Sequence, residues 1–391
     1  MRKFLGIIAA ASVAFTAQVA TAEEPPIKIG LVMTYSGPFA TYGHQADLGV
    51  DTFLKANGNM IAGRKIEIIR KDDTGLAPDV AKRMAQELAV RDKVDFILGG
   101  CWSPNALASA DVVTEAKIPF FILVAATSGI PAKSPFFVRN SFSTAQTSYI
   151  MAKWSIKKGY KKGYNALADY VLGIAAGQTF KKEMEAEGGE VVGEVRMAPG
   201  IPEYTPYMQR IKEAKPDIIQ LVLPSGDQAV TFVKTYAAMG LLKDGIHLLA
   251  ADVTEKGSVL ELGDFMVGTY NISWYESYAT NPENQKFVSS YKQVTSGDAD
   301  PGFVSLNTYD ALNMVKFAVE AQQGKTDGEK TMALVRGHHF MTPRGEIAID
   351  AKTGEIAEDF HIREIVKDND KTAFKELETF HLVRDPNLPA E

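Results

Sequence analysis

Short apolar runs alternate with helical patterns along the chain, and this alternation limits the possible folds more than any other feature. The runs that predict strands in the first half are IKIGLVM (27–33), KIEIIRK (65–71), VDFILGG (94–100) and IPFFILV (118–124). The segments between them have the spacing of amphipathic helices. Strands separated by helices favour a parallel sheet with helices on both faces. The same rhythm returns over 164–250, so the sequence predicts two successive α/β units.

The last third of the chain departs from this order. Residues 301–323 predict one long helix, and 345–365 predict two or three strands around a DAKTG turn. Such a tail most simply returns to the first unit and then adds strands to the second. The expected fold class is therefore α/β, with two Rossmann-like lobes, parallel central sheets and a three-segment hinge that guides closure.

The domain boundaries follow from this path of the chain. A length of 391 residues suits two domains. We expect an N-terminal lobe made of 27–143 plus 273–340. We expect a C-terminal lobe made of 144–272 plus 341–385.

The N-terminal residues have the pattern of an export signal. Arg2 and Lys3 precede an apolar run over 5–19, and Ala20-Thr21-Ala22 fits a small-residue cleavage site. The apolar run is too short and too rich in alanine for a good membrane-spanning helix. We therefore expect a cleaved signal peptide over 1–22 and a periplasmic mature protein.

Composition and motifs exclude several classes of function. The formal net charge is −6 and no basic stripe is visible, so we expect no nucleic-acid partner. The single cysteine, Cys101, cannot form an intramolecular disulfide and is interpreted as a buried, inert thiol. No phosphate loop, dinucleotide motif or nucleophile elbow is present, and the histidines form no metal motif. We expect no enzyme, no cofactor and no metal, and we interpret Asp72-Asp73 as a solvated strand end.

Candidate binding residues follow the ends of the predicted strands, where open α/β sheets bind ligands. Tyr42 lies in TYSGPFATYGH (34–44), after the first strand, and CWSP (101–104) follows the third. Ser103 before Pro104 predicts a helix N-terminus, whose N–H groups attract a carboxylate. Thr127 adds a hydroxyl after the next strand. A purely structural role, with Ser103 capping its helix and Thr127 turning the chain, remains the alternative.

Several segments together resemble the branched-chain amino acid and amide binding-protein family, the type I periplasmic binding proteins of ABC importers. The segments that carry the resemblance are SGPFATYG (36–43), KIEIIRKDD (65–73), CWSPNALASADVV (101–113), VAAT (124–127) and Asp169-Tyr170. The similarity runs from about residue 27 to about residue 366. It implies a small carboxylate-bearing ligand in the cleft between the lobes, and ABC permease subunits in the inner membrane as partners.

The resemblance also implies roles for individual residues. Tyr42 and Phe303 match aromatic contacts, and Tyr170 matches the region of an aromatic lid from the second lobe. Ser103 matches the serine that holds the ligand carboxylate, with Ala125 and Thr127 beside it. Ser225 stands where amino-acid binders often place a tyrosine, and Asp252 falls near their acidic partner for an ammonium group. With Trp102 as an added aromatic surface, the ligand-binding residues predicted on this basis are Tyr42, Trp102, Ser103, Ala125, Thr127, Tyr170, Ser225, Asp252 and Phe303.

Departures from the family pattern keep the choice of ligand open. The resemblance implies a family disulfide near Gly75 and Trp102, which this chain lacks. Relatives with similar DY-x-x-G and GE-VVGEVR features take aromatic carboxylates. We expect a branched-chain or other amino acid, with an aromatic carboxylic acid or an amide as the alternative. A ligand-presenting module for a membrane sensor is a further alternative to transport.

Overall fold

A computed structural model describes residues 24–198, 200–224, 226–251, 262–297 and 300–389. The expected signal peptide over 1–22 lies outside these residues. The α-helices among them are α1 (Thr41–Asn57), α2 (Pro78–Glu87), α3 (Ser103–Ala116), α4 (Thr144–Lys158), α5 (Val171–Ala186), α6 (Thr205–Ala214), α7 (Asp227–Ala238), α8 (Pro282–Val294), α9 (Phe303–Ala321) and α10 (Gly328–Val335). No helix within the described ranges is long and apolar enough to cross a membrane.

The strands form two sheets, each of which is the centre of one lobe. In the first lobe they are β1 (Ile27–Met33), β2 (Met60–Ile61), β3 (Arg64–Asp72), β4 (Phe96–Gly99), β5 (Phe120–Ile122) and β6 (Phe137–Arg139). In the second they are β7 (Lys162–Ala168), β8 (Glu190–Met197), β9 (Ile218–Val222), β10 (His247–Ala250), β11 (Tyr270–Ser273), β12 (His339–Thr342), β13 (Gly345–Ile349), β14 (Ile356–Asp368) and β15 (Lys371–Val383).

Each of the two sheets has a core of parallel strands. The first has the order β2-β3-β1-β4-β5-β6, and the second runs β12-β13-β14-β11-β10-β9-β7-β8, with β15 paired to β14. Among the described strands, the antiparallel pairs are β2 with β3 in the first sheet, and β11 with β14, β12 with β13, β13 with β14 and β14 with β15 in the second. This confirms the α/β fold class predicted from the sequence. In each sheet the strand order reverses beside its first strand, which creates a crevice at the carboxyl ends of β1 and β4 and of β7 and β9.

Local sequence explains why these elements form where they do. The strand β1 is an almost continuously buried apolar run, as expected for a strand covered on both faces. Helix α4 begins with a capping box, in which Ser143 accepts from the backbone of Gln146 and the Gln146 side chain accepts from the Ser143 backbone. It ends at Gly159, whose φ of 100° favours glycine.

The chain passes between the lobes at three places within the described residues: between β6 and α4, between β11 and α8, and between α10 and β12. Helices α8 and α9 pack against α1 of the first lobe. The tail therefore returns to the first lobe and then completes the second sheet, in agreement with the predicted three-segment hinge. The lobe boundaries at single-residue level stay a prediction.

Buried ion pairs lie where the chain crosses. The guanidinium of Arg344 contacts Asp310 of α9 at 2.9 Å and Glu358 of β14 at 2.7 Å, so it joins the two lobes. Burial raises the pKa of both carboxyls to about 6, although the arginine opposes that effect. Arg363 of β14 pairs with Glu276 at 3.0 Å.

Candidate ligand-binding site

A small cavity lies between the lobes, where the crevices of the two sheets face each other. Its volume is about 30 Å³, and its described lining consists of Tyr42, Cys101, Trp102, Val124, Ala126, Phe142, Tyr170, Leu172, Pro224 and Phe303. None of these residues carries a formal charge. The segments after β1, β4, β5 and β6 and the start of α9 supply one side, and those after β7 and β9 supply the other, in agreement with the strand-order rule for ligand crevices.

Aromatic rings make up half of the residues that line the cavity, and further rings pack against them. We call the following residues the aromatic wall: Phe39, Tyr42, Trp102, Phe142, Tyr170, Trp274 and Phe303. Trp102 packs edge-on against Phe39, with centroids 4.8 Å apart, and lies 6.1 Å from Tyr170 of the second lobe. On the other side, Phe303 contacts Trp274 at 5.5 Å, and Trp274 lies against Phe142 at 3.9 Å. Such a surface suits a flat apolar ligand body.

A polar corner adjoins the aromatic wall at the N-terminus of α3. The structure places Ser103 at the first helical position and Trp102 at the cap, where no side-chain cap bond forms. The hydroxyl of Ser103 instead accepts a bond from the Thr127 hydroxyl at 2.8 Å and from the Thr127 backbone at 3.3 Å. The first N–H groups of a helix lack intrahelical acceptors. The corner therefore combines helix N–H groups with hydroxyls.

A buried hydrogen-bond network fixes the position of Trp102. Its indole N–H donates to Thr34 at 3.2 Å, and the Thr34 hydroxyl donates to Asp73 at 2.6 Å. The amide of Asn105, in the first turn of α3, also donates to Asp73, at 3.0 Å. Asp73 is 1% exposed, so the interpretation of this strand end as solvated was wrong for Asp73. Burial raises the pKa of Asp73, and the hydrogen bonds from Thr34, Gly75 and Asn105 act in the opposite direction.

An ion pair shapes the loop over 125–129. Arg139 and Glu355 are fully buried partners, and the guanidinium also donates to the carbonyl oxygens of Ala125 and Thr127. Glu355 accepts from the Gly129 N–H at 2.9 Å. Burial raises the pKa of Glu355, against the effect of Arg139. Because Glu355 precedes β14 of the second lobe, this pair ties the hinge to the loop that carries Thr127.

The structure brings most of the predicted residues together. Tyr42, Trp102, Tyr170 and Phe303 line the cavity, and Ser103 and Thr127 each follow a lining residue in the chain. Val124 and Ala126 line it rather than Ala125, whose N–H donates to Gly100 and whose carbonyl accepts from Arg139. Ser225 and Asp252 lie outside the described residues, so their roles stay predictions.

Sequence reasoning missed part of the site. The missed residues are Phe39, Val124, Ala126, Phe142, Leu172, Pro224 and Trp274. Phe39 lies in the SGPF segment already singled out, and its position three residues before Tyr42 was an available signal. Phe142 and Trp274 lie where the chain crosses between lobes, and no local motif marks them.

The described part of the chain shows neither a reactive cysteine nor a metal-binding cluster. Cys101 is buried, as predicted, and burial raises the pKa of its thiol well above the ordinary value. Within the described ranges no group of three or more His, Cys, Asp or Glu side chains is placed to hold a metal ion.

Two α/β lobes joined by several crossings around an interlobe cavity define a ligand-binding clamp. Residues 26–371 match the model of the family described as periplasmic binding protein. The chain belongs to this family, which confirms the family and the fold class predicted from the sequence. Its members are solute-binding proteins of transporters rather than enzymes.

The names of individual relatives point to different ligands. The Leu/Ile/Val-binding protein homolog 6 of Brucella melitensis is 33% identical over 96% of this chain and 97% of its own length. A solute-binding protein of an ABC transporter from R. palustris, solved with 4-hydroxybenzoate, is 37% identical, with a TM-score of 0.87 over 93% of this chain and 99% of its own. A protein from Rhodopseudomonas palustris BisB5, solved with 3,4-dihydroxybenzoic acid, has the same identity, TM-score and coverage.

Proposed function

We propose that this chain is the periplasmic solute-binding component of an ABC importer for an aromatic carboxylic acid of about the size of benzoate. The observation that carries the proposal is the meeting of the aromatic wall with the polar corner at Ser103 and Thr127. A flat ring fits the first and a carboxylate fits the second. Relatives solved with hydroxylated benzoates support the same ligand class.

The polar corner suits an acid because of its hydrogen-bond inventory. Ser103 accepts two hydrogen bonds from Thr127, so its own hydroxyl proton stays available to a ligand oxygen. The N-terminus of α3 adds N–H groups and a partial positive charge. A carboxylate accepts hydrogen bonds only, and it therefore matches a corner that offers donors.

The mechanism is binding by lobe closure, with no bond made or broken. Trp102 and Tyr170 belong to different lobes, so only a closed clamp brings both rings against the ligand. A ligand that gains contacts in one state alone shifts the population toward that state. The permease subunits in the inner membrane would then recognise the closed, loaded form.

Closure around a ligand requires rearrangement of the present cavity. A volume of about 30 Å³ holds roughly one water molecule, whereas a cavity of about 150 Å³ accepts benzene. The aromatic wall therefore separates when a ligand enters, by movement of the lobes or by rotation of the rings. We expect slow association compared with a preformed open site.

A branched-chain amino acid is the second candidate, favoured by the name of the Brucella relative. Isothermal titration calorimetry of the purified mature protein against benzoate, 4-hydroxybenzoate, benzamide and leucine separates the two. We expect both benzoates to bind, benzamide to bind more weakly, and leucine to give no heat. Tight binding of leucine without binding of benzoates would overturn the proposal.

A further inference from the structure

Trp274 carries a buried hydrogen-bond donor that no described residue accepts from. The residue directly follows β11, where the chain crosses from the second lobe to the first, and it is 2% exposed. Its indole N–H finds no acceptor among the described residues. Buried polar groups of this kind are uncommon, and each one calls for an explanation.

The unused donor adjoins the ligand cavity. The Trp274 ring packs against Phe142 with centroids 3.9 Å apart and against Phe303 at 5.5 Å, and both phenylalanines line the cavity. A ring-sized ligand must displace part of this lining, because the present cavity holds roughly one water molecule. Movement of either phenylalanine would bring Trp274 into contact with the ligand.

A series of ring contacts runs from Trp102, beside the polar corner, to Trp274. Trp102, which precedes Ser103, contacts Tyr42 at 6.4 Å, and Tyr42 contacts Phe303 at 6.3 Å. Phe303 in turn contacts Trp274. A ligand with its carboxylate at Ser103 and its ring laid along this series would reach toward Trp274.

We propose that Trp274 is a specificity-determining residue, whose indole N–H donates to an oxygen substituent on the ring of the bound acid. The inference rests on the proposed function and narrows its ligand class to ring-hydroxylated aromatic acids. A hydroxyl oxygen gives the buried donor an acceptor, whereas a methyl group of similar size leaves it unpaired. Sites that leave a polar group unpaired discriminate strongly against the ligand that lacks its partner.

The test compares 4-hydroxybenzoate with 4-methylbenzoate, which differ mainly in the hydrogen-bonding group. We expect wild-type protein to bind the hydroxylated acid more tightly, and Trp274→Phe to reduce that preference by about 3- to 10-fold. Trp154→Phe is the matched control, because Trp154 is equally buried but packs against Tyr160 and Tyr270 instead of the cavity lining. An unchanged preference in Trp274→Phe, or none in wild type, would overturn the inference.

A spectroscopic measurement covers the case in which Trp274→Phe fails to fold. The chain has three tryptophans, so a protein labelled with ¹⁵N-tryptophan gives three indole N–H resonances, and Trp154→Phe helps to assign them. We expect the Trp274 indole proton to move downfield with 4-hydroxybenzoate and not with 4-methylbenzoate. The same response to both acids would contradict the role of Trp274. Failure of every benzoate to bind would instead remove the proposed function itself.

Discussion

Thr127 donates to Ser103 twice, through its hydroxyl at 2.8 Å and through its backbone N–H at 3.3 Å. The two residues come from separate strand ends, the one after β4 and the one after β5. In both bonds the Ser103 hydroxyl is the acceptor, and Ser103 lies at the first helical position of α3 instead of the cap. We propose that its hydroxyl proton is donated to the ligand carboxylate.

Replacement of Ser103 by alanine should weaken binding of benzoates by about 10- to 150-fold, since a hydrogen bond to a charged group contributes about 1.5–3 kcal/mol. Calorimetry with benzoate measures the effect, and benzamide is the matched ligand, because its neutral carbonyl should lose less. Equal losses for the two ligands would contradict a carboxylate contact at Ser103.

Replacement of Tyr170 by alanine should weaken the closed state, because this ring meets Trp102 across the cleft. Aromatic pairs contribute about 0.5–1.5 kcal/mol beyond burial, so we expect affinity to fall by roughly 2- to 12-fold or more. Stopped-flow fluorescence should place the change mainly in the dissociation rate.

Tyr170→Phe keeps the ring and should bind almost as wild type does. Tyr278→Ala removes an exposed tyrosine, 56% accessible, and is the control for general effects. Similar losses of ligand affinity in Tyr170→Ala and Tyr278→Ala would show that Tyr170 has no specific role in closure.

The buried pair of Arg139 and Glu355 should behave as a coupled unit. Arg139→Met leaves a buried carboxylate without its partner and should lower the free energy of unfolding by about 3–5 kcal/mol, measured by urea denaturation. The double variant Arg139→Met/Glu355→Gln should recover part of this loss. Simple additivity of the two single changes would contradict the coupling.

The exposed pair of Lys117 and Glu329 is the matched control for that cycle. Both side chains are more than 60% accessible, and they join α3 to α10 of the first lobe. Removal of either charge should leave the free energy of unfolding nearly unchanged, because solvent and salt screen exposed pairs.

Glu276 should make stability depend on pH. Burial raises the pKa of Glu276 to about 7, although Arg363 opposes the shift. The native state therefore keeps a proton that the unfolded chain releases, and the free energy of unfolding falls as pH rises from about 4.5 to 7. Glu276→Gln should lack this pH-dependent contribution. The free energy of unfolding of wild type minus that of the variant should therefore decrease as the pH rises over that range.

Urea denaturation at several pH values measures that difference. Asp310 and Glu358 also have raised pKa values, of about 6, but both remain in the variant, so their effect cancels. Glu213→Gln, at an exposed position of α6, is the control for general effects of the substitution on stability. A difference for Glu276→Gln that does not change with pH would contradict the raised pKa.

The parts of the fold that sequence predicted are those governed by local pattern. The apolar run 27–33 forms β1 with the expected bounds, and the helix predicted to begin at Ser103-Pro104 begins at Ser103. Strand β6 was missed, because three residues carry too little periodicity to be recognised. The run 118–124 became the shorter β5, which ends at Ile122, before the loop that carries Thr127.

The site was predicted where a strand end meets a recognisable motif. Ser103 and Tyr42 lie in the segments that follow predicted strands, so the rule for parallel sheets indicates them. Tyr170 was predicted only from the resemblance to the family. Phe142 lines the cavity, and Trp274 packs against Phe142, only because the chain crosses between the lobes at this place, and that proximity depends on tertiary packing. The burial of Asp73 has the same origin, since its partners Thr34 and Asn105 come from distant segments.

A crystal structure of the protein with 4-hydroxybenzoate would show where and how the acid binds. We expect the acid between the lobes, with its carboxylate within hydrogen-bond distance of the Ser103 hydroxyl and its ring against Trp102 and Tyr170. A carboxylate directed away from α3, or an acid bound outside the interlobe cleft, would contradict this expectation.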